Sequence, residues 1–268
     1  MERLDHGLVA VKKATGVYVT WRVLGGEMDS AAFNLYRNGT RINEQPIDGA
    51  SNYFDDNGTE ASVYELRRFS RGEEQILNET AGVWENSYID IPVEPIQGSY
   101  TTHTLNDASV GDLDGDGAYE IVVKRIAVDM SEESTDYHYL EAYELDGTRL
   151  WSINIGPNIY NDKEFNFLVW DLDGDGKAEI ATRTSEGTVD GLGNEIGDID
   201  QDGITNYRYS ITYSGFRSEG PDFLSIFNGE TGEEITRENY IPLEPLSQWG
   251  LPGHDVSQLA HRATKCMF

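Results

Sequence analysis

The fold is decided by the stretch Gly111-Asp112-Leu113-Asp114-Gly115-Asp116-Gly117-Ala118-Tyr119-Glu120-Ile121, which recurs as Trp170-Asp171-Leu172-Asp173-Gly174-Asp175-Gly176-Lys177-Ala178-Glu179-Ile180. A β-rich run follows each copy, at 122–124 and at 181–183. A second phrase, built around an Asp-Gly or Asn-Gly hairpin, recurs at 141–148 and 224–232. Strand, loop and strand repeated in this way predict successive blades of a β-propeller. About two to three blades fit, whereas a closed ring needs at least about four, so we expect the chain to end before its ring closes.

The repeated loops have the ligand pattern of a calcium site. A D-x-D-x-D-G run brings carboxylates at alternate positions of a tight turn onto one centre, and calcium takes 6–8 oxygen ligands. Three loops fit this pattern. Their predicted ligands are Asp112, Asp114, Asp116, the Ala118 carbonyl and Glu120; Asp171, Asp173, Asp175, the Lys177 carbonyl and Glu179; and Asp198, Asp200, Asp202, the Ile204 carbonyl and Asn206. An EF-hand is excluded because position 12, where it needs a glutamate, holds Val123, Thr182 and Tyr209.

Composition excludes several classes of protein. The 268 residues carry a formal charge of −28, which argues against nucleic acid and anionic membranes as partners. The single cysteine, Cys266, allows no intrachain disulfide. No stretch is apolar over the roughly 18 residues that a transmembrane helix needs. The opening Met1-Glu2-Arg3-Leu4-Asp5 does not resemble a signal peptide.

Residues before the repeats predict a separate β domain. Strands are expected at 17–21, 32–36, 63–66 and 87–92, with turns at Asn38-Gly39 and Asn57-Gly58. Short strands at this spacing are typical of a fibronectin-III-like β-sandwich. Pro92, Pro95 and Gly98 indicate a linker. The predicted architecture is therefore all-β, with a sandwich at 1–97 and an incomplete calcium-binding propeller at 98–268.

Several longer phrases together resemble the rhamnogalacturonan lyases of polysaccharide lyase family 11. The opening Leu4-Asp5-His6-Gly7-Leu8-Val9-Ala10-Val11 is similar to that of the family, which usually has Arg where His6 stands. The other matching phrases lie at 21–22, 33–37, 106–112, 184–191, 220–224 and 249–250. The resemblance implies an N-terminal β domain, an eight-bladed propeller with many calcium ions, and an active cleft across the central face of the propeller. It also implies a secreted enzyme that cleaves the galacturonate–rhamnose backbone of rhamnogalacturonan I by β-elimination.

The resemblance implies some site residues and leaves others open. Asn106 matches a family residue that faces the cleft, and an expected cleft aspartate is replaced at Ile126. Lys124 and Arg183 follow the acidic loops and are further candidates for substrate binding; salt bridges to acidic neighbours are the alternative. The catalytic base is unknown, with Lys124, Arg125, Arg183, His254, His261 and Lys265 as candidates.

Two other functions fit the acidic loops. One is a non-catalytic, calcium-stabilised propeller for carbohydrate binding or adhesion, and the other is an inactive fragment of a lyase. The phrases at 106–112 and 184–191 favour the lyase, because adhesion repeats lack them. At full length we expect a monomer.

Overall fold

The computed structural model describes residues 5–27, 31–96, 102–129, 131, 134–160, 166–210 and 219–240. Within these ranges the regular structure is fifteen strands and one 3-10 turn, Arg208–Ser210, and no helix is long and apolar enough to cross a membrane. The strands are β1 (Val9–Lys12), β2 (Val17–Thr20), β3 (Ala32–Arg37), β4 (Thr40–Arg41), β5 (Asn52–Asp55), β6 (Val63–Ser70), β7 (Glu73–Trp84), β8 (His103–Gly111), β9 (Glu120–Ala127), β10 (His138–Tyr143), β11 (Arg149–Gly156), β12 (Phe167–Trp170), β13 (Glu179–Ser185), β14 (Asp222–Phe227) and β15 (Glu234–Asn239). The prediction of an all-β protein is confirmed. His254, His261, Lys265 and Cys266 lie outside the described residues.

The chain divides into two compact units between Asp90 and Ile91. In the first unit, seven strands form one sheet in the order β4-β3-β6-β7-β1-β2-β5. Strand β7 joins the two halves of this sheet, because it pairs antiparallel with β6 and parallel with β1. Alternate residues of both halves, such as Val17, Val19, Leu35 and Leu66, share one core, so the sheet closes over itself.

The predicted strand at 87–92 is wrong. These residues form no regular structure, and the last strand of the first unit is β7. Pro92 lacks a backbone N–H to donate, and residues 87–90 are exposed rather than packed in the core. The Asn38-Gly39 turn is confirmed: both residues have left-handed φ angles, of 50° and 77°, and they join β3 to β4.

The second unit contains two antiparallel sheets of four strands each. In chain order, neighbours pair as β8-β9-β10-β11 and as β12-β13-β14-β15. Both sheets contribute to one apolar core, in which Leu140 and Ile153 of the first meet Ile180 and Phe227 of the second. The Trp151 Nε1 donates to the Gly229 carbonyl at 2.6 Å, which ties the two sheets together. Each acidic repeat occupies the turn between the first two strands of its sheet, so the sequence repeat is also a structural repeat.

Candidate metal centres

The first acidic loop is shaped by its own carboxylates. The Asp112 Oδ1 accepts from the Gly115 N at 2.7 Å, and its Oδ2 accepts from the Gly117 N at 3.1 Å. At the far end, the Glu120 Oε2 accepts from the Leu113 N at 2.6 Å. The second loop repeats these contacts at Asp171, Gly174, Gly176, Glu179 and Leu172. The glycines are required, since Gly115 and Gly174 have φ angles of 83° and 85°.

Each of these loops gathers three carboxylates. Oxygens of Asp112, Asp114 and Glu120 lie within 4.8 Å of one another, as do those of Asp171, Asp173 and Glu179. Burial, together with the charges of Asp114, Glu144 and Asp116, raises the pKa of Glu120 to about 7. Burial likewise raises the pKa of Glu179. These clusters have the chemistry to bind a metal ion.

The remaining predicted ligands of loops one and two lie at the turns. One carboxylate oxygen of Asp116 accepts from the Ala118 N at 2.7 Å, and Asp175 accepts from the Lys177 N at 2.8 Å. The role of the Ala118 and Lys177 carbonyls as ligands stays a prediction.

The third loop shares two backbone hydrogen bonds with the first two loops and differs from them at one turn residue. The Asp198 Oδ2 accepts from the Gly203 N at 2.8 Å, and the Asp202 Oδ1 accepts from the Ile204 N at 2.8 Å. Gln201 has a φ of 62° at the position where the first two loops have Gly115 and Gly174. The Ile204 carbonyl stays a predicted ligand.

The carboxylate cluster of the third loop contains a residue that the sequence analysis missed. It consists of Glu186, Asp198 and Asp200, again within 4.8 Å. Asn206, predicted at position 9, accepts from the Arg208 N with its Oδ1 at 3.1 Å. Glu186 lies outside the D-x-D-x-D-G run, directly after β13, so the loop spacing contains no signal for it.

Asn106 and Lys124 meet at a β-bulge in the first sheet. Leu105 pairs with Arg125 and Ala108 with Val123, so Asn106 and Asp107 both lie opposite Lys124. Asn106 is exposed, and its Oδ1 accepts from the Asp107 N. The Lys124 Nζ lies 3.2 Å from the Asp107 Oδ2, on a side chain 2% exposed against 73% for that of Asp107. A buried ammonium thus lies beneath a solvent-exposed carboxylate.

Arg183 occupies the matching position of the second sheet, four residues after Glu179, as Lys124 follows Glu120. Its Nη2 lies 2.6 Å from the Asp222 Oδ2, and its guanidinium lies over the Tyr240 ring. Both predicted cations therefore form salt bridges, and their role in substrate binding stays a prediction.

Two adjacent residues of β9, Arg125 and Ile126, have structural roles. The buried Arg125 Nη1 donates to Glu141 at 2.7 Å and to the Glu94 carbonyl at 2.9 Å, which fastens the segment before β8 to the first sheet. Ile126 is partly buried against the shared core. These contacts account for Arg125 without a catalytic role.

Comparison with known families identifies matches to both units. The description "Rhamnogalacturonan I lyases beta-sheet domain" matches residues 1–84. The description "Rhamnogalacturonan lyase family 11, C-terminal domain" matches residues 88–255. The two matches together cover nearly the whole chain.

Individual relatives agree with the family match. Rhamnogalacturonan exolyase YesX of Bacillus subtilis (strain 168) is 41% identical over 268 residues, covering 93% of this chain and 42% of YesX. Rhamnogalacturonan endolyase YesW of the same organism is 42% identical over 262 residues, covering 93% of this chain and 41% of YesW. The chain thus spans less than half the length of these curated relatives.

Solved structures show the same similarity. The crystal structure of YesX superimposes with a TM-score of 0.81, covering 94% of this chain and 42% of that one. The rhamnogalacturonan lyase of Bacillus licheniformis, 42% identical, superimposes with a TM-score of 0.78, covering 94% of this chain and 44% of that one. With a family match over more than half its length and these structural relatives, the chain belongs to rhamnogalacturonan lyase family 11.

Proposed function

We propose that this chain is part of a secreted, calcium-dependent rhamnogalacturonan lyase. Its substrate would be the galacturonate–rhamnose backbone of rhamnogalacturonan I, cleaved by β-elimination. Membership of the family across both units is the observation that carries this proposal. The acidic polysaccharide would be its partner, with neither nucleic acid nor a membrane bound, and the full-length enzyme would be a monomer.

The architecture supports this assignment. Two four-stranded meanders that share a core, with an acidic loop at the same turn of each, are the arrangement expected of neighbouring propeller blades. We accordingly assign 98–268 to the first blades of a propeller. We assign 1–97 to a fibronectin-III-like sandwich, supported by one core shared between two halves of a sheet.

Calcium fits the acidic loops better than a transition metal. The side chains gathered in the three clusters are all carboxylates, with no nitrogen or sulfur ligand among them. Hard oxygen ligands suit calcium, whereas zinc and copper favour histidine and cysteine. A bound calcium ion would neutralise the crowded carboxylates, and near the substrate it would stabilise negative charge on a galacturonate.

β-Elimination requires a group that neutralises the carboxylate of the galacturonate. The C5 proton of a galacturonate is weakly acidic until its carboxylate is neutralised, because charge develops on that group as the proton leaves. Lys124 can supply this positive charge if the substrate carboxylate replaces that of Asp107, whose Oδ2 lies 3.2 Å from the Lys124 Nζ. Asn106, exposed on the same bulge, can donate to a sugar oxygen from its amide. Arg183 could bind a second carboxylate, and the residue that removes the proton is not assigned.

One observation favours a second candidate function. Ile126 packs against the core at the position where the family resemblance predicts a cleft aspartate. A site that lacks this carboxylate could bind the polysaccharide without cleaving it. The alternative is therefore a non-catalytic, calcium-stabilised carbohydrate-binding propeller, or an inactive form of the lyase.

A chimera separates these functions. The chain would replace the matching 42% of YesX, and the chimera would be incubated with rhamnogalacturonan I beside YesX and the chain alone. Unsaturated products, detected by their ultraviolet absorbance, are expected from the chimera. Binding of the polysaccharide by a folded chimera that forms no such product would favour the binding protein and contradict the lyase.

A further inference from the structure

The Glu186 carboxylate is buried with only one of its oxygens bonded. Its Oε1 accepts from the Ile199 N at 2.5 Å and from the Asp200 N at 3.4 Å. Its Oε2 is buried and accepts no hydrogen bond from any described residue. Burying a carboxylate oxygen without a partner is costly, so a group that pairs with it, such as a bound cation, is expected there.

The position of Glu186 matches the buried glutamates of the first two loops. In each case a glutamate oxygen accepts the backbone N–H of the residue directly after the first loop aspartate. The three pairs are Glu120 with Leu113, Glu179 with Leu172, and Glu186 with Ile199. The equivalence is invisible in the sequence because Glu186 precedes its loop, whereas the other two glutamates follow theirs.

We propose that Glu186 is the buried ligand of a third cation site, completed by Asp198 and Asp200. This inference rests on the proposed calcium binding by the acidic loops and adds the ligand that the third loop lacks. Asn206, at position 9, cannot supply the missing negative charge, and its Oδ1 already accepts from the Arg208 N. The cation is of the hard, oxygen-binding class.

A cation at this site ties together segments that an ion in the other loops does not. Loops one and two each lie within a single hairpin, whereas Glu186 directly follows β13 and the aspartates lie farther along the connection to β14. The buried Asn158 fixes the same connection, since it donates to the Glu186 and Thr205 carbonyls and accepts from the Tyr207 N. The ion would thus hold the 198–206 loop against the corner that follows β11.

Arg208 extends this tie to the first sheet. Its buried guanidinium donates to the carbonyls of Ser131 at 2.9 Å and Asp136 at 3.0 Å, in the connection between β9 and β10. It also donates to the Pro157 carbonyl at 3.3 Å. Because Arg208 lies two residues after the third loop, removal of the ion should loosen the β9–β10 connection as well.

Hydrogen exchange of the whole chain, with and without calcium, tests the proposal. In the unsubstituted chain, calcium should protect peptides covering 198–206 and 134–136. Glu186→Gln keeps an oxygen for the Ile199 N–H but removes the charge, so the calcium concentration for half-maximal protection of 198–206 should rise more than about tenfold. Even partners beyond the direct ligands of a metal are typically worth 10–100-fold in affinity. Glu195→Gln, an exposed position of the same segment, makes the same charge change and should leave the midpoint unaltered.

Peptides covering 112–120 and 171–179 provide an internal reference. In Glu186→Gln they should keep their calcium-dependent protection, which also reports that the variant is folded. An unchanged midpoint at 198–206 in Glu186→Gln would overturn the role of Glu186 while leaving the other loops intact. No calcium-dependent protection in any of the three loops of the unsubstituted chain would instead refute the proposed calcium binding itself.

Discussion

The Nε2 of His6 lies 2.9 Å from the Oε2 of Glu27, with both side chains buried in the first unit. The other ring nitrogen, Nδ1, lies 2.8 Å from the Glu79 Oε1. A carboxylate at each nitrogen requires both nitrogens to donate, so the ring is an imidazolium. Burial lowers the pKa of His6, but the hydrogen bonds to Glu79 and Glu27 outweigh it and raise that pKa above 6.5.

This pair predicts a pH optimum for the stability of the first unit. The raised pKa of His6 contributes stability that is complete below 6.5 and is lost as the pH rises through the folded-state pKa. Burial raises the pKa of Glu27, but Arg68 and His6 lower it overall, so its contribution is complete above 4.5 and is lost in acid. Urea unfolding of the chain can be followed by tryptophan fluorescence, to which the buried Trp21 contributes. The free energy of unfolding should be greatest between about pH 4.5 and 6.5 and should decline toward pH 9.

Substitutions of His6 separate its charge from its packing. His6→Gln should lower the free energy of unfolding at pH 6 by roughly 1.5–3 kcal/mol, because it removes charge-assisted hydrogen bonds to Glu79 and Glu27, while Arg68 remains as an ion-pair partner of Glu27. His6→Arg keeps a charge that does not titrate, so the decline above pH 7 should become shallower. An identical pH profile for all three proteins would show that His6 does not control the decline.

Calcium should stabilise the protein more at pH 8 than at pH 5. Without calcium, the raised pKa of Glu120, about 7, makes its ionisation unfavourable, so the metal-free protein loses stability as the pH rises from 4.5 through 7. Calcium needs the ionised carboxylate and reverses this loss, by about 2.7 kcal/mol at 100 times Kd for one site. The measurement is the melting temperature in calcium and in chelator at both pH values. Glu120→Gln should reduce the difference, and equal stabilisation at pH 5 and pH 8 would contradict the assignment.

Left-handed turn residues in the third and second loops predict opposite effects of substitution. Gln201 has a left-handed φ of 62°, a conformation that costs a non-glycine residue about 1–2 kcal/mol. Gln201→Gly should therefore raise the calcium affinity of the loop or the melting temperature slightly, offset in part by the flexibility of glycine in the unfolded chain. Gly174→Ala should destabilise the second loop by about 1–2 kcal/mol through its φ of 85° alone, since nothing lies within 4 Å of the added Cβ. Calorimetry of both variants in calcium gives the comparison.

Lys124 should matter more for lyase activity than for folding. In the YesX chimera, Lys124→Met removes the cation proposed to neutralise the substrate carboxylate, and activity should fall by roughly 10²–10³-fold, as when one charge-stabilising donor is removed. Asp107→Asn, which removes the competing carboxylate, should keep most of the activity. If both variants lost stability equally and kept full activity, Lys124 and Asp107 would be a structural ion pair only.

Local patterns made part of this protein predictable. The acidic loops and the Asn38-Gly39 hairpin depend on residues within a few positions of one another, and glycine at a left-handed φ is a direct sequence signal. The repeat also predicted that both loops would occupy the same place in successive sheets. These features are recognisable before any long-range contact is known.

Contacts between distant residues were not predictable. Glu186 reaches the third loop only through the path of the chain after β13, and His6 meets Glu79 across 73 positions. Strand β7 was missed because its first residues are exposed and charged, and it is defined by pairing with β6 and β1 rather than by alternation. The bulge that brings Asp107 to Lys124 likewise depends on strand register.

Metal analysis of the purified chain tests the central claim most directly. After dialysis at pH 8 against buffer with a trace of calcium, the account predicts three calcium ions per chain, one for each carboxylate cluster, and a lower melting temperature after chelation. Fewer than one ion per chain, with a melting temperature that chelator leaves unchanged, would contradict it.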